Sequence, residues 1–282
     1  MTYSTASGVC LSVSIVLYHS ALEQLRSTLL SLFQSAQRAS QSKQLRYVEL
    51  ILVDNSGDAA YEAGVQAVLR DLPSIDYISI KYIATAQNVG FGEGHNLAVS
   101  SNDTELHLVL NPDVELREDT LQAGLSALQQ DFGIVLLSPA VVGTVNEPEY
   151  LCKSYPSVLV LVLRAFAPTF LQKIFRARLD KYEMRAACST TNQTEVLLAS
   201  GCFMLVRSAA LKGVTGFDPR YFMYFEDFDL SLRLREKGRL IFAPAMQIRH
   251  HGGYAASKGV GHIWMFLKSG MRFFNRHGWK WI

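Results

Sequence analysis

Two carboxylates stand side by side at Glu226-Asp227, ahead of Leu230, Leu232, Leu234 and Gly238, and the segment ends in the imidazoles of His250-His251. The spacing predicts a helix with Asp227 and Asp229 in its first turn and a glycine just past its end. Met246, Ile248 and His250 share one face of a period-2 run, which predicts a strand that carries His250 to its tip. Carboxylates and imidazoles are groups that exchange protons and bind cations, and at element ends they can converge on a ligand. The same residues also suit a plainer task, acids complementing a helix dipole and histidines filling a loop. What the rest of the chain brings beside them decides between the two.

Upstream, apolar runs alternate with helical spacings. Residues 13–17 form a short apolar run ending in Tyr18-His19, and Leu22, Leu25, Leu29, Leu32 and Phe33 follow at helical intervals. Residues 50–53 repeat the apolar run and stop at Asp54-Asn55-Ser56-Gly57, with helical spacing over 61–69. A third run, 77–83, leads into Gln87-Asn88-Val89-Gly90-Phe91-Gly92, where a helix reaching Val99 begins. The fourth, 106–110, halts on Asn111-Pro112-Asp113, whose proline cannot donate to a sheet ladder. Such alternation predicts a mostly parallel open sheet, whose ligands lie beyond the carboxyl ends of its strands. Each polar strand end is also a turn former in its own right. Their recurrence at all four ends favours a nucleotide edge.

Further along, residues 114–132 read as a helix, 134–137 as a strand and 196–206 as a strand interrupted by Ala199-Ser200-Gly201-Cys202, whose small side chains would let a substrate approach the backbone. Residues 143–193 carry little pattern. Their aromatic and basic positions, among them Tyr155, Arg164, Phe166 and Arg176, predict an insertion, simplest as a surface helix pair, that could cover an acceptor site or touch a membrane.

Composition narrows the class. A chain of 282 residues, 49% hydrophobic and 18% charged, supports a buried core, and 27 basic against 25 acidic residues give no polyanion signal, so nucleic acid is not expected as a partner. Cys10, Cys152, Cys188 and Cys202 are widely spaced, which excludes a zinc knuckle and a disulfide scaffold and fits a reducing cytoplasm. No signal peptide or spanning helix is expected, because the start lacks a basic region and the apolar run 158–171 is broken by Arg164 and Pro168. The Gly90-Phe91-Gly92-Glu93-Gly94 segment is not a dinucleotide fingerprint: its spacing is G-x-G-x-G, and it follows the third strand rather than the first.

The ordered set Asp54-Asn55-Ser56, Asn88-Val89-Gly90-Phe91-Gly92, Leu110-Asn111-Pro112-Asp113, Gly201-Cys202-Phe203-Met204, Gly216-Phe217-Asp218 and Tyr224 through Leu230, with Arg233 and Gly238, resembles the inverting family 2 glycosyltransferases with the GT-A fold. The resemblance spans residues 11–255 and is closest to rhamnosyltransferases of bacterial O-antigen and cell-wall polysaccharide. It implies an α/β GT-A domain, a Rossmann-like, mostly parallel central sheet flanked by helices, over residues 1–258. A nucleotide-binding half (11–113) would precede an acceptor half (114–258) containing the insertion at 143–193, and a basic, aromatic C-terminal helix would occupy 259–282.

The resemblance also implies roles. A dTDP- or UDP-sugar would be held by Tyr18, Asp54, Asn55, Asn88, Gly90 and Asn111, with Asp54 accepting the N3–H of uracil or thymine. A divalent cation, Mg²⁺ or Mn²⁺, would be bound by Asp113 and His250, the latter followed by His251-Gly252-Gly253 and Ser257. Asn111 departs from the family's Asp-x-Asp, leaving Asp113 as the one acid of that triplet. Asp227 would be the base that deprotonates the acceptor hydroxyl, and Glu226 would orient the acceptor or share the proton. The expected reaction is transfer of L-rhamnose from dTDP-rhamnose to a saccharide hydroxyl of a lipid-linked glycan. The rivals are a UDP-hexose donor, a sugar nucleotidyltransferase and a silent nucleotide-sugar-binding subunit. In the tail, Lys268, Arg272, Arg276 and Lys280 recur every four residues beside Ile263, Phe266, Leu267, Gly270 and Phe274. Two readings stand together there: an interfacial helix in peripheral contact with the cytoplasmic face of the inner membrane, and a helix packed on the domain.

Overall fold

The computed structural model describes residues 8–100, 103–143, 148–252 and 260–282. In chain order its elements are β1 (Val9–Leu17), α1 (Leu22–Gln41), β2 (Leu45–Asp54), α2 (Ala59–Arg70), β3 (Ile78–Ala84), α3 (Phe91–Val99), β4 (Leu106–Leu110), β5 (Val114–Leu116), α4 (Thr120–Gln130), β6 (Ile134–Val142) and β7 (Pro148–Glu149). Then follow α5 (Val158–Phe166), α6 (Thr169–Ile174), α7 (Arg176–Tyr182), α8 (Arg185–Cys188), β8 (Thr194–Glu195), β9 (Phe203–Arg207), α9 (Ser208–Gly213), α10 (Glu226–Arg235), β10 (Arg239–His250) and α11 (Val260–His277).

The strands form one sheet in the order β3-β2-β1-β4-β9-β6-β10-β5, with β7 added to β6 and β8 to β10. β1 pairs in parallel with β2 and β4, and β2 with β3. β9 runs antiparallel to both β4 and β6, β10 is parallel to β6, and β5 is antiparallel to β10. The sheet is therefore mostly parallel but mixed, with β9 and β5 reversed. That reversal places the site: the forward strands end at one edge with Tyr18, Asp54, Asn111 and His250, and β9 begins at the same edge just after Gly201-Cys202. β7 joins that edge through Glu149 opposite Val141.

Every residue of β4 is buried, as a strand covered on both faces requires. Leu25, Leu29, Leu32, Phe33 and Ala36 of α1 repeat every three to four residues and are fully or nearly buried in the core on one side of the sheet. On the other side Phe217, Leu230 and Leu234 pack with Met204 and Val206. Beneath β1 and β4 lies a buried polar chain. Ser14 Oγ bridges His95 Nδ1 (2.7 Å) and His107 Nε2 (2.8 Å), and Ser12 Oγ meets His107 Nδ1 (2.6 Å).

Three expectations change, and the tail shows one of its two readings. Residues 114–116 form the edge strand β5, not the start of a helix, which begins only at Thr120. In 196–206 only β9 is a strand; Val196 and Leu198 are buried in irregular backbone, with Leu198 bridged to Lys153. The insertion holds four short helices, α5 to α8, rather than a pair. The tail helix packs on the domain along one face: Phe273 and Phe274 join Tyr221 and Phe225 in a separate apolar cluster. Half of its basic ridge faces protein, since Arg276 pairs with Asp218 (2.6 Å) and Asp229 (3.1 Å) and Arg272 lies over the Tyr221 ring. Ile263, Trp264, Leu267 and Met271 of the same helix are exposed. Among the described residues no helix is long and apolar enough to cross a membrane. Gly253 and Ser257 lie outside the described residues.

Candidate active site

The edge at the ends of β1 and β2 is built from loops that brace one another. Tyr18 stands 55% exposed beyond β1, its ring 5.0 Å from that of His19. Asp54, at the end of β2, is 2% exposed; Oδ1 accepts the Ser56 N–H (2.8 Å) and Oδ2 the Tyr82 hydroxyl. Each carboxylate oxygen keeps a further lone pair for an imide N–H. Asn55 is turned inward: Nδ2 donates to Gly90 O (3.0 Å) and Oδ1 accepts from Thr85 Oγ1 (3.1 Å). Asn88 Oδ1 accepts the Gly90 N–H (2.9 Å). What Asn55 and Asn88 visibly do is shape the Gly90 loop. Gly90 has φ 91°, and a Cβ there would sit 2.5 Å from Phe222 O, so no larger residue fits.

A second bridge ties this edge to the acidic segment. Asn96 accepts the Phe217 N–H and donates to Phe217 O, both at 2.9 Å, and so latches α3 onto the loop before α10. Nothing in the sequence pattern singles out Asn96, because its partners lie 121 residues away.

At the end of β4, Asn111 N–H donates to Cys202 O (2.9 Å) and the Asp113 carbonyl accepts the His251 N–H (2.9 Å). Asp113 Oδ1 is buried without a hydrogen-bond partner, and His250 Nε2 stands 3.7 Å from it. The other ring nitrogen of His250, Nδ1, lies 3.0 Å from Glu149 Oε2. A proton on Nδ1, assigned from that contact, leaves the Nε2 lone pair facing Asp113. A Cβ on Gly252 would lie 2.6 Å from His250 Nε2 and 2.7 Å from Asp113 Oδ2, so the glycine keeps this cradle open. His251 faces elsewhere, with Nε2 3.0 Å from Glu115 Oε1. Glu149 escaped the sequence reading because it sits in a patternless stretch and reaches His250 only through the β6–β7 pairing.

Across the Gly201-Cys202 turn stands the acid pair. Tyr224 (φ 70°) and Phe225 (φ 65°) are successive non-glycine residues in the left-handed region, a costly turn that sets Glu226 and Asp227 on the first turn of α10. Asp227 Oδ2 accepts the Gly201 N–H (3.0 Å) and Oδ1 the Phe228 N–H (2.9 Å). Burial raises its carboxyl pKa above the usual range, and these amides hold the rise back. Glu226 is 6% exposed, Oε2 has no partner, and burial followed by the charge of Asp227 raises it further. The two amides on Asp227 and the unpartnered Oε2 of Glu226 favour the negative charge of the pair on Asp227.

The Gly201-Cys202 turn links the two groups, since Cys202 O accepts the Asn111 N–H and the Gly201 N–H donates to Asp227. Burial pushes the Cys202 thiol up, and the charges of Asp113, Asp227 and Glu149 add to the rise. Lys153, from the insertion, attracts Asp227 from another side; burial and then Arg164 lower its own pKa to about 8. Gly201 serves this packing: a Cβ there would meet the Phe91 ring at 2.9 Å and Asp227 Cβ at 3.5 Å. Its smallness admits Phe91 and Asp227, where the sequence suggested a substrate. Among the described residues no three His, Cys, Asp or Glu side chains could by themselves hold a metal ion.

The family model of glycosyl transferase family 2 matches residues 12–213. The chain belongs to glycosyl transferase family 2. It is therefore a glycosyltransferase, and the match includes Asp54, Asn88 and Asp113 but stops before Glu226, Asp227 and His250. Two bacterial proteins are similar. The N-acetylglucosaminyl-diphospho-decaprenol L-rhamnosyltransferase of Mycobacterium tuberculosis is 28% identical over 258 residues, 83% of this chain and 77% of that protein. Rhamnosyltransferase WbbL of Escherichia coli K12 is 31% identical over 186 residues, 62% of this chain and 65% of that protein. Among solved structures, GalNAc-T7 with UDP, GalNAc and Mn²⁺ superposes with a TM-score of 0.65 at 14% identity, over 95% of this family 2 chain. This chain spans about half, 48%, of that one. S. aureus TarS 1-349 with UDP gives 0.55 at 15% identity, over 94% and 65% of the two chains. These likenesses give the GT-A fold.

Proposed function

We propose that this glycosyltransferase moves L-rhamnose from dTDP-rhamnose, with inversion, to a saccharide hydroxyl of a lipid-linked glycan in surface polysaccharide synthesis. Both similar proteins are named rhamnosyltransferases, one of them for a decaprenol diphosphate acceptor. The observation that carries the mechanism is Asp227, a carboxylate fixed by two backbone N–H groups across the Gly201-Cys202 turn from the Asp113–His250 pair. Residues 11–113 would bind the nucleotide and 114–258 the acceptor.

Asp227 takes the proton of the attacking hydroxyl while the nucleotide leaves from the opposite face of the sugar. Glu226, protonated, adds no second negative charge and can hold the acceptor by a hydrogen bond. Asp54 accepts the imide N–H of the base. The buried, unpartnered Asp113 Oδ1 and His250 Nε2 suit a divalent cation, Mg²⁺ or Mn²⁺, with Glu149 fixing the imidazole behind it. Two protein ligands are enough for such an ion where substrate phosphates complete its shell, and when bound it would supply positive charge to the departing diphosphate. The exposed Trp264, Leu267, Met271 and Trp281 support a peripheral contact of the C-terminal region with the cytoplasmic face of the inner membrane.

Nucleotide release from a panel of dTDP- and UDP-sugars, with and without Mg²⁺ or Mn²⁺, tests the reading. Acceptor-dependent release from dTDP-rhamnose is expected; faster release from a UDP-hexose overturns the donor, and no release from any donor that still binds overturns the enzyme assignment.

A further inference from the structure

The insertion holds a cavity of about 290 Å³ whose lining includes Arg164, Lys173, Arg176 and Arg185 with Asp180 and Glu183. Its size suits a small polar group rather than a whole nucleotide sugar, since ligand pockets usually begin near 300 Å³. Four cations face two acids. The acids are shared among the arginines: Asp180 lies 3.0 Å from Arg185 and 3.6 Å from Arg176, and Glu183 lies 2.7 Å from Arg185 and 3.6 Å from Arg164. An excess of positive charge therefore faces the cavity, carried in part by guanidinium groups, the side chains best shaped to bind phosphate oxygens in pairs.

The cavity adjoins the acceptor side of the cleft through one buried ring. Arg164 Cζ lies 5.3 Å and Lys153 Nζ 5.9 Å from the centroid of Tyr182. Lys153 and Tyr182 both feel the charge of Asp227. A line of side chains thus runs from the base through Lys153 and Tyr182 to Arg164 and the cavity. On the outer side, α6 turns Thr169 and Lys173 to the cavity, while Phe170 and Ile174, one position on in the helix, are exposed with Phe166 of α5. Exposed apolar side chains thus neighbour the cavity along α5 and α6, and Tyr182 and Lys153 stand between its Arg164 side and Asp227.

We propose that this cavity binds the diphosphate of the lipid-linked acceptor, with the isoprenoid chain leaving across Phe166, Phe170 and Ile174 and the sugar lying toward Asp227. The proposal rests on the lipid-linked acceptor above. It assigns the insertion the recognition of the phosphates between lipid and sugar, a group that a soluble saccharide lacks.

The test is binding, so that it does not depend on the donor. With saturating dTDP and Mg²⁺ filling the donor site, farnesyl diphosphate and farnesol are titrated against the wild type and against Lys173→Ala/Arg176→Ala. Both residues are exposed, Arg176 with 74% of its side chain free, so the fold should tolerate the change. Farnesyl diphosphate is expected to bind the wild type about tenfold more tightly than farnesol, and the variant to lose about that factor, with dTDP affinity and melting temperature unchanged. Lys173→Glu should lose more. Equal binding of farnesol, or farnesyl diphosphate binding that survives both substitutions, overturns the proposal. Phosphatidylglycerol vesicles form a separate arm: if the substitutions weaken vesicle binding alone, the cavity reads membrane headgroups and the acceptor assignment is wrong. Should dTDP-rhamnose prove not to be the donor, the farnesyl diphosphate result stands on its own.

Discussion

Gly201→Ala should slow transfer and move its pH dependence in a direction fixed by the structure. A Cβ at this position would lie 2.9 and 3.0 Å from two atoms of the Phe91 ring, about half an ångström inside ordinary contact. That ring is held by the imidazole of His95 at 4.5 Å and by Phe217 at 5.8 Å, so the Ser200–Cys202 backbone must yield instead. The Gly201 N–H, now 3.0 Å from Asp227 Oδ2, would then leave hydrogen-bonding range. With one of its two orienting amides gone the base is misplaced relative to the acceptor hydroxyl, so kcat should fall by about 10- to 100-fold. The sign of the accompanying shift follows from what that N–H does. Burial raises Asp227 to about 6, and the Gly201 amide is the largest influence lowering it. Without the amide, the acid limb of the rate profile, below which the base is protonated, moves to higher pH. Initial rates from pH 5 to 9, with dTDP affinity measured in parallel, read both effects. An unchanged limb with unchanged kcat would refute the role given to this turn.

Two further outcomes follow from the buried groups. Burial lowers the His107 pKa to about 3 and that of His95 well below its ordinary 6.5, so below pH 6.5 the unfolded chain binds protons that the folded one refuses. From pH 6.5 to 5.5 the pair should cost about 2 kcal/mol of stability. Denaturant melts of the wild type against His95→Gln/His107→Asn isolate this slope from carboxyls such as Glu226, which titrate in the opposite sense; parallel pH slopes would contradict it. Glu149→Gln should raise the Mn²⁺ concentration needed to support dTDP binding by about 10- to 100-fold through His250, and an unaltered Mn²⁺ titration would remove Glu149 from the site.

The strand ends that form the candidate site were legible because polar turn residues interrupt buried apolar runs, and the positions of Asp54, Asn88 and Asp113 follow from that punctuation. The same logic overreached at Val196 and Leu198. They are apolar because they are buried, yet the chain there bridges to Lys153 in irregular backbone instead of forming a strand. Three residues of β5 were too few to show a period. In the tail, a four-residue recurrence of basic residues looked like one ridge, but buried Asp229 draws in Arg276 and His277, and that partner cannot be seen from spacing. Glu149, Lys153 and Asn96 were invisible for a related reason: each acts through contacts that only the folded topology creates. Of the two histidines the resemblance pointed to His250 beside Asp113; it ends β10 with its ring 3.7 Å from Asp113, while that of His251, one residue on, lies against Glu115.

The central claim is that Asp227 removes the acceptor proton, and Asp227→Asn tests it most directly. The asparagine keeps the shape and one acceptor oxygen for the backbone amides but cannot take a proton at neutral pH. Single-turnover transfer from dTDP-rhamnose in the presence of Mg²⁺ and acceptor should fall by about 10²- to 10⁴-fold, while dTDP affinity stays within about twofold of the wild type. A variant that binds dTDP normally and still transfers within about tenfold of the wild-type rate would contradict the account.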